Sequence, residues 1–394
     1  MPTHKSSAEY ELAREFKNGR TIFAALEKAD FHRAQLLSWF FVCEAALPIQ
    51  HSIGPVIELE RNDEYLHSFD PLYEPHPTLN HVKNRNQTLW DEHGIFRYSD
   101  LPEFEEIPAS SKPDRCLYLG NSFMEGFGEE SIPWFIWQES RDSDAPVYPF
   151  NAGCGSYSPC IFVAQAKKLL PQIDPNLVVV SIDRTDIVDE NAKRHLIDHG
   201  SSGSIVAVRS GSTLQYLTKR YRAIRQQPLY ISRLASKLIL VRSEWPAFKE
   251  WYEEQYVPPN CREYSTLFES IEPLEKLEGT PEVRFFADNL EDLLVTLSAG
   301  VGADRVLVTT HPHPGDLLTG DGSWNGLLTH VVASVARKTG VRHFDATELL
   351  LKEGPDPIKN LYIPDDMHLN GDGLKVYARG IFNCIQQMRR PADH

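Results

Sequence analysis

Short apolar runs and amphipathic stretches alternate along the second half of the chain. Arg115–Leu119, Val147–Phe150, Leu177–Ile182, Arg305–Thr310 and Val341–Phe344 are too short and too continuously apolar for surface helices. They read as buried strands. Between them lie helical periodicities: one running from Ser122 through Glu139, then Pro159–Leu170, Glu282–Ala299, Ser323–Thr339, and Leu374–Met388 after the last strand. Strand and helix in strict alternation predict right-handed crossovers and a parallel sheet covered on both faces, an α/β three-layer sandwich. Such sheets bind ligands at the carboxyl ends of their strands. Ser122, the loop Asn151–Pro159, Thr185 and His311 all fall at those ends, so one geometric rule gathers them into one pocket.

The remaining segments divide the chain. Ala8–Leu47 carries apolar residues at helical spacing and predicts two helices broken near Asp30, within a helical appendage of residues 1–70. Residues 71–112 are rich in Pro, Asn and His and predict an irregular lead-in wrapping the main domain, residues 113–394. Within that domain, residues 189–281 form an insertion whose part Tyr216–Arg242 is basic and amphipathic. It reads as a helical face with a solvated side, or else as a lid or docking surface.

Two stretches carry candidate chemistry. In Arg115–Gly128, RCLYLGNSFMEGFG, a buried strand ends at the turn Gly120-Asn121 and Ser122 starts a helix. A nucleophilic hydroxyl is presented in this way, and so is an ordinary helix cap. In Asp365-Asp366-Met367-His368, an acid two or three residues before a His can hold one imidazole nitrogen and leave the other for a serine proton.

GNSFMEGFG, NAGCGSYSP (Asn151–Pro159), VVVSIDRTDIVDE (Val178–Glu190) and DDMHLNGDG together resemble the four ordered blocks of the SGNH/GDSL hydrolases. The resemblance runs from about Tyr73 to the C-terminus. It implies a flavodoxin-like fold with a five-stranded sheet, and ester hydrolysis or acyl transfer without a cofactor. It also implies site roles: Ser122 as nucleophile, His368 as general base, and Asp365 as orienting acid with Asp366 as the alternative. The family's oxyanion hole combines the Ser backbone N–H, a Gly backbone N–H and an Asn amide. Here Ser156 stands on the Gly position, preceded by Gly155, and Thr185 stands where the family has Asn. Losing one oxyanion donor costs about 2.7–4 kcal/mol, so the resemblance implies a weakened hole. Asn121 replaces the Asp of the usual GDS, a change expected to matter less.

Composition narrows the partners. The chain has 394 residues, 41% of them hydrophobic, and a net charge of −15 with no basic-aromatic patch, which argues against nucleic acid. The expected partner is a small-molecule, glycan or lipid ester. Six cysteines (43, 116, 154, 160, 261, 384) lack metal spacing and read as reduced and structural. The charged N-terminus lacks a signal-peptide pattern, and Leu36–Leu47 is too short to span a bilayer, so a cytoplasmic location without a membrane span is expected. His195 and His199, spaced i, i+4, would share a helix face, but no third zinc ligand stands near them. His311 is expected on the pocket rim. Short-acyl ester hydrolysis is the leading expectation. Glycan O-acyl transfer and a catalytically degenerate binding domain are the alternatives.

Overall fold

Five apolar runs become five parallel strands: β1 (Asp114–Leu119), β2 (Val147–Asn151), β3 (Leu177–Ile182), β6 (Val306–Thr310) and β7 (Arg342–Asp345). The computed structural model describes residues 73–83, 89–91, 93–107, 112–210, 279–319, 324–364 and 366–389. The chain divides into two units, Met1–Glu74 with Ser212–Phe248, and Pro75–Gly211 with Lys249–His394. The five strands of the sheet lie in the second. The helices expected within Ala8–Leu47, the basic stretch Tyr216–Arg242, Cys43, Cys261 and Asp365 lie outside the described residues.

The strand order is β2-β1-β3-β6-β7, the doubly wound order of flavodoxin-like sheets. Every residue of β3 and β6 is buried, as a central strand covered on both faces requires. Successive side chains alternate between the faces. On one face Cys116, Tyr118, Val179 and Leu307 join a cluster with α2 (Ile132–Ser140) and α10 (Gly371–Arg389). The opposite face is covered by α3 (Pro159–Ile173), α5 (Pro281–Val301) and α7 (Trp324–Thr339), which pack in a row. The result is the three-layer α/β/α sandwich expected from the alternation. Among the described residues no helix is long and apolar enough to cross a membrane. Cys116, Cys154, Cys160 and Cys384 carry free thiols.

Two local readings are corrected. The helix expected to run from Ser122 through Glu139 is two helices, α1 (Ser122–Glu125) and α2. Gly126 and Gly128 take φ of 73° and 65°, a left-handed conformation that glycine adopts freely. Ser131 then caps α2, accepting from Trp134 N–H, with Pro133 in its first turn. His195 and His199 do not share a helix face. A new helix, α4 (Thr185–Lys193), ends before them; His195 sits in a single 3-10 turn, and His199 in the hairpin β4 (Ile197–His199) and β5 (Ile205–Val208). The hairpin takes an alternating pattern (Ile205 buried, Val206 exposed, Ala207 buried) that is too short to stand out in the sequence.

Candidate active site

Asn121 at the end of β1 positions Ser122. Its side-chain oxygen accepts from Phe123 N–H at 3.1 Å, capping the single turn of α1. Ser122 thus opens the helix, half-buried, with its Oγ at 2.8 Å from His368 Nε2. His368 comes from the loop between α9 (Pro357–Leu361) and α10, 246 residues away. That loop is braced. Ile363 N–H donates to His368 O at 3.0 Å, Tyr362 OH donates to Pro312 O at 2.7 Å, and the Asn370 side-chain oxygen accepts from the N–H groups of Asp372 and Gly373.

His368 Nδ1 lies 2.6 Å from Asp366 Oδ1, which also accepts the His368 backbone N–H at 2.9 Å. Hydrogen bonding to His368 is the main reason the Asp366 carboxyl is held below its usual range. An ionised Asp366 fixes the proton on Nδ1 and leaves Nε2 to accept from the serine hydroxyl. Among the described residues, Asp366, at the two-residue spacing, brings a carboxylate to His368.

The loop after β2 approaches α1 from the other side. Gly153 is required there: a Cβ on it would lie 2.4 Å from Glu125 N. Gly155 is held through both of its backbone groups. Its N–H donates to Glu125 Oε2 at 2.7 Å and its oxygen accepts from His81 Nε2 at 2.8 Å. Glu125 in turn pairs with the buried Lys83. Ser156, which follows, has φ of 57°. This is a left-handed conformation, which glycine adopts most freely. Sequence reasoning missed His81, Lys83 and Glu125, because nothing in a run of residues marks an ion pair formed across 42 positions.

Thr185 begins α4, and its backbone N–H and hydroxyl both donate to Asp183 Oδ1 at 2.6 Å. The hydroxyl is therefore directed at a carboxylate. If this bond is its role, Thr185→Val should destabilise the fold by about 1.5–3 kcal/mol, as loss of a hydrogen bond to a charged group does. Turnover should then change only a few-fold. Urea unfolding together with ester kinetics separates this from an oxyanion role, which predicts a loss of about 10²–10³ in rate.

Asp183 is the hub of a buried polar cluster. Asn121 Nδ2 donates to Asp183 Oδ2 at 2.6 Å and to Asp186 Oδ1 at 3.2 Å. Burial works against its charge, but the nearness of His313 and His311 and the bonds from Thr185 hold Asp183 well below the usual carboxylate range. Burial, and Asp183 beside it, push Asp186 well up. His311 is not a rim residue. It is 1% exposed, its ring lies 4.1 Å from that of Phe123, and burial drives its pKa down to about 3.

Asp183, His311 and His313 offer ligand atoms within 4.8 Å of one another, close enough to suggest a cation. The hydrogen bonding of His313 argues otherwise. Arg184 Nε–H donates to His313 Nδ1 at 3.0 Å, which leaves Nε2, the nitrogen that approaches Asp183 at 3.5 Å, to carry the ring proton. A protonated nitrogen has no lone pair for a metal.

No family model matches the chain, and no curated protein matches it. Solved structures do. One is a two-domain esterase active on acetylated mannans (12% identity, TM-score 0.38), matched over 72% of this chain and 51% of that one; this chain thus spans about half its length. Another is a lipase/acylhydrolase from Enterococcus faecalis, at 10% identity and TM-score 0.39 over 71% of this chain and all of that one. A third is a catalytic mutant of Axe2, an acetylxylan esterase from Geobacillus stearothermophilus. It matches at 13% identity and TM-score 0.38 over 69% of this chain and 94% of that one.

Proposed function

We propose that this chain is a serine hydrolase of the SGNH type that cleaves a short-acyl carboxylic ester through Ser122, His368 and Asp366. The observation that carries the reading is the hydrogen-bonded run Ser122 Oγ–His368 Nε2–His368 Nδ1–Asp366 Oδ1, with links of 2.8 and 2.6 Å. His368 Nε2 takes the hydroxyl proton as Ser122 Oγ attacks the ester carbonyl, and Asp366 stabilises the imidazolium that forms. The imidazolium then protonates the departing alcohol, leaving an acyl-serine. Water, activated by the same nitrogen, releases the acid.

For the oxyanion, the helix-opening Ser122 N–H is the assigned donor. Gly155 N–H is engaged by Glu125 and the Thr185 hydroxyl by Asp183. That economy of donors predicts a slow enzyme, and it is the one observation favouring the second reading, a binding domain that has lost catalysis. Acyl transfer to a second alcohol would proceed through the same acyl-serine.

Hydrolysis of p-nitrophenyl acetate by two neighbouring variants tests the assignment. Asp366→Ala should lower kcat by about 10⁴, the scale on which a triad acid acts, and Asp365→Ala should change it only a few-fold. The reverse order of effects would overturn the role given to Asp366.

A further inference from the structure

We propose that Phe127 and Met367 form an apolar subsite for the leaving alcohol, so that selectivity resides on the alcohol side of a neutral ester; this rests on the hydrolase reading. Among the described residues the exposed large hydrophobics are Leu89, Phe127, Val206, Val295, Leu351 and Met367. One of the six, Phe127, borders the His368 imidazole, and a second, Met367, directly precedes His368 in the chain. The Phe127 ring meets the His368 ring edge-on, with centroids 5.8 Å apart and planes at 80°.

The exposure of Phe127 is fixed by its backbone. Phe127 N–H donates to Glu130 O at 2.8 Å and Glu130 N–H returns a bond to Phe127 O at 3.2 Å. The turn is entered through Gly126 at φ 73°, where a Cβ would lie 2.4 Å from Glu130 O. The chain therefore holds a ring 49% exposed at a tightly bonded turn rather than folding it inward. A displayed aromatic beside reacting groups provides binding area to a ligand.

The chemistry says which part of the ester meets it. The ester carbonyl oxygen must face the Ser122 N–H. The leaving oxygen must face His368 Nε2, which protonates it. Side chains that border His368 thus meet the carbon skeleton attached to the leaving oxygen. A phenyl ring and a thioether favour saturated carbon, either an aliphatic chain or the carbon face of a ring. Glu129, Glu130 and Asp366, close by in sequence to one or other of the pair, disfavour an anionic alcohol.

Esters of nearly equal intrinsic reactivity isolate this contact. With the full chain, kcat/KM for cyclohexylmethyl acetate should exceed that for ethyl acetate by about tenfold, the scale on which apolar pockets discriminate. Phe127→Ala and Met367→Ala should each bring that ratio toward one. Phe127→Trp should retain it. The ratio of ethyl hexanoate to ethyl acetate, which varies the acyl side, should be the same in all four proteins. An unchanged alcohol ratio in both alanine variants, or a change confined to the acyl ratio, overturns the proposal. Fluorophosphonate labelling of Ser122 in each protein separates the two levels. Labelling with an unchanged alcohol ratio removes the subsite and leaves the hydrolase; no labelling and no acetate cleavage in the unmodified protein removes both.

Discussion

Ser122→Ala is expected to lower the turnover of aryl acetates by about 10⁶-fold, the scale seen when a serine nucleophile is removed from a triad. His368→Ala should cost about as much. The double variant should cost no more than either, because nucleophile and base act as one unit. The fold should persist. Ser122 Oγ makes one hydrogen bond, to His368, at a half-buried site, so its loss should cost about 1 kcal/mol. Steady-state kinetics with a urea melt of each variant check both halves. Additive losses would mean that Ser122 and His368 act separately.

Asn121→Asp is expected to destabilise the protein by about 3–5 kcal/mol at neutral pH, the scale of an uncompensated buried charge. Asn121 is 2% exposed, and its amide nitrogen donates to both Asp183 and Asp186. A carboxylate in its place would have no proton to give and would put a third acid against two. Burial and like charge would raise the folded-state pKa of the new Asp above its unfolded value. The penalty is then complete above the folded pKa, shrinks as pH falls, and vanishes below the unfolded value near 4. Urea unfolding of both proteins between pH 4 and 8 measures this. A difference constant across that range would mean that the new side chain faces solvent.

That prediction also marks where the sequence was hard to interpret. The exchange of Asp for Asn at residue 121 reads as a mild change in a turn. Its weight comes from Asp183, 62 positions away, whose carboxylate the amide meets. The sheet was legible because LVVVSI and VLVTT are apolar on both faces, which only a covered central strand tolerates. Ser122 stood out because it follows a turn at the end of β1, and His368 because it lies in a polar, turn-rich loop just before the last helix. Glu125, Lys83 and His81 were not, since a charge or an imidazole looks alike in solvent and in a buried pair. His311 misled for a related reason. Its position after β6 suggests a rim, but Phe123, Tyr377 and His313 surround it, an arrangement that only packing decides.

The most direct measurement is mass spectrometry of the full chain after exposure to a fluorophosphonate. The predicted result is a single adduct on Ser122, absent from His368→Ala and slowed in Asp366→Ala. A folded protein that takes no adduct, or takes it on a different residue, would contradict the account.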